Sequence, residues 1–244
     1  RAMLEESIPQ GAVVINTAAY TDVDGAETHS DDAFAVNAEG VRHVAEVVKT
    51  RHGRLIHLST DYVFDGENDK PYTETDTPNP INVYGKTKLT GEKALKAVMP
   101  TNVIVIRTSW VYSNIGNNFY LTMKRLSEET HKLNVVTDQF GVPTSNQFIA
   151  EQMNAIIPQL NEKNTGIYHL VPDGSGSWHE FAKEIISQTN SQFNLEYIHA
   201  IQTHEFPTKT KRPKNSILNN AKIKQKFQLY FNDWSKELEK VIHG

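Results

Sequence analysis

Three short runs rich in β-branched residues dominate the first half of the chain: Val13–Asn16 in "GAVVINTAAYT", then "RLIHLSTDYVF" and "NVIVIRTSWVY". Apolar runs this short suit buried strands, because a helix needs about ten residues or more. Each gap between them holds one helical stretch. In "DDAFAVNAEGVRHVAEVVKTRHG" the apolar residues Phe34, Val41, Val44, Ala45 and Val48 recur at helical spacing. Two aspartates open that stretch and Gly53 lies past its end, which are start and stop signals for a helix. The stretch "TPNPINVYGKTKLTGEKALKAVMP" has Pro80 near its start and Pro100 beyond its end. Strand, helix, strand, helix, strand at this spacing predicts an α/β fold: a Rossmann-like doubly wound parallel sheet with right-handed crossovers.

The texture changes after Pro143. "NNFYLTMKRLSEE" before it reads as a third helix and "KLNVVTDQFGVPT" as strand then loop. Beyond it, "SNQFIAEQMNAIIPQL" is helical, "TGIYHLV" is a short strand, and "SWHEFAKEIISQ" is a helix in which Ser177 and Glu180 fit a capping box. This places residues 1–144 in the sheet domain. Residues 145–244 form mainly a smaller α+β lobe, interleaved with it.

Composition narrows the function. The net charge of -4 over 244 residues gives no basic surface for nucleic acid. The one basic cluster, "TKTKRPK" from Thr208 to Lys214, reads as a solvated loop. There is no cysteine, which removes thiolate chemistry and disulfides. No apolar run approaches the roughly 18 residues of a membrane span, so the expected location is cytoplasmic, away from membranes. The ten histidines are scattered and show no metal-ligand spacing.

A dinucleotide-binding sheet opens on a strand, a glycine-rich turn and a helix. These 244 residues hold no such glycine cluster, and "RAMLEESI" reads as a helix leading directly to the Val13 strand. The expectation is that the N-terminal βα units of the fold are missing from this sequence, and that such a chain binds NADPH weakly and is itself inactive.

Chemistry in parallel sheets gathers at the carboxyl ends of strands. The first strand ends in small residues, "NTAAYT". The second ends in "STDYVFDG", with two hydroxyls and an acid, and the third in "RTSWVY". On the following helix Tyr84 and Lys88 are four residues apart, hence on one face. A phenol beside an ammonium is suited to deliver a proton to a carbonyl reduced by hydride, and a hydroxyl can hold the same oxygen.

Taken in order, these features resemble the extended short-chain dehydrogenase/reductase superfamily. "NTAAYTDVDGAE", "STDYVFDG", "PNPINVYGKTKLTGEKAL", "RTSWVYSNIGNNF" and "DQFGVPT" resemble successive signatures of its dTDP-4-dehydrorhamnose reductase family, from Asn16 to Thr144. Weaker similarity continues through "GIYHLVPDGSGSWHEFA" and "RPKNSIL". The resemblance implies reduction of the 4-keto group of dTDP-4-dehydro-L-rhamnose to dTDP-L-rhamnose with NADPH or NADH, in nucleotide-sugar and polysaccharide biosynthesis, the first domain binding NAD(P). It makes Tyr84 the proton donor, Lys88 the group that lowers its pKa and holds the nicotinamide ribose, and Thr60 the hydroxyl on the keto oxygen. Ala18, Ala19 and Thr21 would line the cofactor. Asp61, Trp110, Asn117 and Asn118 would contact the sugar nucleotide, and Arg212 its phosphates. It also implies a possible homodimer, with a metal at the interface that the sequence does not display. Two other readings stay open: a non-catalytic NADP-binding subunit like the regulatory subunit of methionine adenosyltransferase, and an epimerase or dehydratase acting on another nucleotide sugar.

Overall fold

The computed structural model describes residues 2–244. Helix α1 (Ala2–Ser7) leads to strand β1 (Val13–Asn16) and the short α2 (Val23–Ala26). Helix α3 (Ser30–Phe34) passes through a π-helical turn, Ala35–Gly40, into α4 (Val41–Thr50). Then come β2 (Arg54–Thr60), α5 (Val83–Val98), β3 (Val103–Thr108), β4 (Val111–Tyr112) and α6 (Phe119–Glu129). The chain continues with β5 (Leu133–Val136), β6 (Phe140–Gly141), β7 (Thr144–Ser145), α7 (Asn146–Ile156) and β8 (Gly166–His169). It ends in β9 (Gly176–Ser177), α8 (Trp178–Thr189), β10 (Ile198–Ile201), α9 (Ala221–Phe227) and α10 (Trp234–His243).

The main sheet is parallel, in the order β1-β2-β3-β8. Its side chains alternate between two cores, as the pleat requires. Leu55, Val103 and Val105 face α4 and α5 with Val41, Ala45, Val48 and Leu95. Ile56, Ile104 and Ile106 face α7 and α9 with Phe148, Met153, Ile223 and Phe227. Helices on both faces make the sheet doubly wound, as the alternation predicts. A third core joins α6, α8 and α10, through Tyr120, Phe181, Ile185 and Leu238, to Val63, Phe64 and Tyr72 of the loop after β2.

Three differences from the sequence reading have physical causes. The π turn adds a residue to the helix, so Phe34 falls out of phase with Val41, Ala45 and Val48 and is 36% exposed while those three are buried. The strand in "TGIYHLV", read as part of the smaller lobe, pairs in register with β3 in the main sheet. Strand β5 instead leaves that sheet and pairs with β10. With β8, α7 and α9 serving the main sheet, the interleaving expected of the second half runs across a division at residue 144.

Two close approaches seat α5. A Cβ on Gly85 would lie 2.1 Å from the Tyr62 carbonyl oxygen, and one on Gly91 2.1 Å from that of Asn37. Only glycine admits such contacts. Inside, Arg107 of β3 and Glu92 of α5 are 2% and 4% exposed and form a two-pronged ion pair, Nε to Oε1 at 2.9 Å and Nη2 to Oε2 at 2.7 Å. Ser59 of β2 donates to the same Glu92 Oε1 at 2.5 Å. Changing Glu92 to Leu leaves a buried guanidinium without its partner. It is expected to cost about 3–5 kcal/mol in urea unfolding, more than replacing both residues by apolar ones.

Candidate active site

Thr60 is the last residue of β2, and the Asp61–Val63 turn follows it. Asn82 caps α5 by accepting from the Gly85 amide at 2.8 Å, which sets the first turn of the helix and with it Tyr84. Tyr84 meets Tyr62 edge to face, with ring centroids 5.8 Å apart. One turn on, the Lys88 ammonium donates to the Leu58 carbonyl at 2.6 Å. That strand carbonyl is its one hydrogen-bond acceptor among the described residues, so an ammonium 2% exposed keeps donors to spare. Thr60 and Tyr84 therefore lie together where β2 ends under α5, with Lys88 one turn further along the helix and bonded to the strand.

The electrostatics are set by burial. Burial pushes the Tyr84 phenol up from its ordinary value, Asp61 and Tyr62 add to the effect, and Thr60 opposes it. Lys88 is turned onto the strand at Leu58, and the lowering of the phenol expected from the i, i+4 spacing is not seen. Burial lowers Lys88 itself to about 8, against the pull of Glu92 one turn further along. His57 lies beneath, fully buried. Asn16 Oδ1 accepts from the Ala18 amide, which leaves the Asn16 amide to donate to His57 Nδ1 at 3.2 Å. The imidazole proton is thus on Nε2, which has no partner in the structure. Burial first, and Lys88 second, hold His57 down to about 3, so it is neutral at physiological pH.

The hydroxyl of Thr60 donates to Asp61 Oδ1 at 2.9 Å and its oxygen accepts from the Tyr62 amide at 3.2 Å. Asp61, placed by resemblance on the sugar nucleotide, is 3% exposed and its first contact is Thr60. Burial raises it to about 6, with Ser216 and Thr60 offsetting part of the cost. Trp110 is half-buried, not core. It is held at a left-handed φ of 46°, stacked on Trp178 at 3.6 Å and fitted against Gly141. Asn117 is exposed. Asn118 is committed to the fold: it caps α6 by accepting from Leu121 and donates to the Ser113 and Ile115 carbonyls. Ala18 and Thr21 are exposed and Ala19 half-buried beyond the carboxyl end of β1. Small side chains there, with the unspent donors of Lys88, suit the hydroxyls and flat ring of a nicotinamide ribose.

Arg212 reaches the site from far along the chain. It donates to Asp24 at 2.8 Å and to the Tyr62 hydroxyl at 3.3 Å, and Tyr62 touches Tyr84. It also walls two cavities. One, of about 380 Å³, is lined by Phe119, Met123, Trp178 and Phe206. The other, of about 570 Å³, is lined by Lys209, Lys211, Lys214 and His204. Tyr62, Asp24, His57 and the Glu92–Arg107 pair were not singled out from sequence. Asp24, Tyr62, Glu92 and Arg107 do lie inside the quoted signatures.

A doubly wound sheet with tyrosine, lysine and threonine at one strand end defines an α/β oxidoreductase of the short-chain dehydrogenase/reductase type. A family model described as "RmlD substrate binding domain" matches residues 1–244. The dTDP-4-dehydrorhamnose reductase of Escherichia coli strain K12 is 40% identical over 236 residues, covering 95% of this chain and 79% of that protein. A crystal structure of dTDP-4-dehydrorhamnose reductase from Bacillus anthracis in complex with NADP superposes with a TM-score of 0.91 at 36% identity, covering 98% of this chain and 84% of that one. A dTDP-glucose 4,6-dehydratase of Streptomyces venezuelae, at 13% identity and a TM-score of 0.82, shares the fold. The chain belongs to the RmlD substrate-binding-domain family, together with the dTDP-4-dehydrorhamnose reductases.

The raised Asp61 gives a stability prediction with a definite sign. Between pH 3.8 and about 6 the folded state binds the proton that the unfolded state releases, so stability falls as pH rises through that window. Asp61→Asn is expected to stabilise the fold by roughly 2–3 kcal/mol at pH 7.5, with the gain shrinking towards pH 4. Thermal melts at the two pH values measure it.

Proposed function

We propose that the chain reduces the 4-keto group of dTDP-4-dehydro-L-rhamnose to dTDP-L-rhamnose, with Tyr84 as proton donor. What supports this is Tyr84 beside Thr60 at the end of β2, with Lys88 one turn on, in a chain whose relatives are named for that reaction. NADPH or NADH, when bound, supplies the hydride. As the keto carbon is reduced its oxygen gains negative charge, and the phenol of Tyr84, kept protonated by burial, passes its proton to that oxygen. The phenolate left behind needs a cation, and in this reading the buried ammonium of Lys88, one turn away on the same helix, supplies it by turning from the Leu58 carbonyl. Thr60 steadies the phenol: its hydroxyl proton goes to Asp61 and its oxygen accepts from the Tyr62 amide, which leaves one lone pair for the Tyr84 phenol. To hold the carbonyl oxygen as well, that proton turns from Asp61 to the substrate.

The sugar nucleotide is read onto the aromatic and basic cavities. Neither is lined by Tyr84, Lys88 or Thr60, and Arg212 with Tyr62 forms the wall between cavity and phenol. A flat base suits the Phe119, Trp178 and Phe206 side, and a diphosphate suits Arg212, whose fork matches phosphate oxygens. Within this reading fall Trp110 as a face for the sugar, Asn117 as a rim contact, a cytoplasmic location and a homodimer.

The test is NADPH oxidation by the full polypeptide with the 4-keto sugar nucleotide. The product should gain two hydrogens by mass, where an epimerase product gains none. Tyr84→Phe should lower kcat about 10²-fold or more with little change in Tm. Separately, kcat/KM should fall as pH rises through about 8, where Lys88 loses its proton.

A further inference from the structure

Residues 208–214, read from sequence as a solvated basic loop, are a strap tied down at several points. The Thr210 amide donates to Asp24 Oδ1 at 3.1 Å, and its hydroxyl to the Val23 carbonyl at 3.2 Å. Arg212 donates to Asp24 Oδ2 at 2.8 Å, so both carboxylate oxygens of Asp24 are used by the strap. Asn82, two residues before Tyr84, donates to the Lys211 carbonyl at 3.1 Å. Asp24 sits on α2, at the end of the loop that carries Ala18, Ala19 and Thr21. Burial would raise the Asp24 carboxyl, but Thr210 and Arg212 outweigh it and hold it below the ordinary value, so it is an anion at neutral pH.

The ion pair is built to be exchanged. Its side chains are 23% and 37% exposed, unlike the sealed Arg107–Glu92 pair, and such pairs hold weakly. Arg212 is also the cation shared by both cavities, with Lys209, Lys211 and Lys214 on the same side. A diphosphate arriving there offers the guanidinium a second anion with more charge and the same forked geometry.

We propose that Asp24 is a positioning residue that holds Arg212 ready for the substrate diphosphate and is displaced from it when the sugar nucleotide binds, which links substrate arrival to the α2 loop beside the cofactor side of the site. This rests on the diphosphate-bearing substrate read above. Asp24 competes with the phosphates, so neutralising it removes a competitor.

The experiment is calorimetric titration of the full polypeptide with dTDP. Asp24→Asn, which keeps an acceptor for the Thr210 amide, should bind dTDP roughly two- to fivefold more tightly than the unchanged protein. Asp24→Glu should return to the original affinity. Arg212→Gln should bind roughly tenfold more weakly or worse, and adding Asp24→Asn to it should change nothing further. A merely structural aspartate would give weaker binding or none of these gains. Unchanged or weaker binding by a folded Asp24→Asn protein overturns the exchange while leaving the substrate reading intact. Failure of the unchanged protein to bind dTDP overturns the substrate reading instead. Should Asp24→Asn not fold, hydrogen exchange on the unchanged protein decides: saturating dTDP should speed exchange at residues 22–27 while protecting 208–214. Unaltered exchange at 22–27 would overturn the proposal.

Discussion

The sealed contact of Glu92 with Arg107 and Ser59 is the constraint on which the rest of the site depends. It joins one helix to two neighbouring strands, and two of its participants stand near candidate site residues. Ser59 precedes Thr60, Glu92 is one turn after Lys88, and Arg107 is two positions before Ser109, whose hydroxyl holds the Val142 carbonyl at 2.8 Å. A pair this buried adds little net stability over an apolar replacement but makes other registers costly, since any slip strands a charge. The guanidinium also lies 5.1 Å from the centre of the Phe64 ring, binding the loop after β2 to the sheet. With burial, it keeps His169 neutral, the imidazole sitting near 3.

A second set of bonds works from the other side. Asn37, in the π turn and fully buried, accepts from the Tyr20 amide at 2.9 Å and donates to the Tyr20 carbonyl and to Thr87. One side chain thus ties the small-residue loop after β1 to the helix that carries Tyr84 and Lys88. The widened turn places Asn37 against Gly91, and a regular helix would rotate it away. The phase error at Phe34 and the seating of the site share that one cause, in line with the frequent occurrence of π turns at functional sites.

Much of this was legible in the sequence, for reasons that differ by element. The three strands showed because parallel strands buried on both faces are continuously apolar. The helix boundaries showed because Pro80, Pro100, Ser177 and Glu180 act locally. Tyr84, Lys88 and Thr60 showed because helical spacing and motif order are local too. What did not show depends on contacts between distant residues. The strand of β8 is too short to announce which sheet it joins. That Asn118 caps α6 and also holds the Ser113 and Ile115 carbonyls shows only in the structure. Arg212 was read onto the substrate phosphates by resemblance, but its partner Asp24, 188 positions earlier, did not show.

The site residues also divide by what their burial costs. Asp61, Lys88 and His57 are all shifted against their charged forms by burial, which Ser216 and Thr60 offset only in part at Asp61 and Glu92 only in part at Lys88, so the fold bears unfavourable groups at the end of β2. Glu92 and Arg107, as deeply buried, are matched with each other. The pair is structural, with Arg107 Nη1 left over, and some of the unmatched groups lie around Tyr84. That is the distribution expected when a site keeps polar capacity unspent for a ligand. The orphaned His57 Nε2, the free Oδ2 of Asp61 and the spare donors of Lys88 mark the same place in the fold. At the ends of β3 and β8, Thr108 Oγ1 and His169 Nε2 are orphaned too, so what sets the end of β2 apart is the phenol of Tyr84 beside Thr60 with the Lys88 ammonium one turn on.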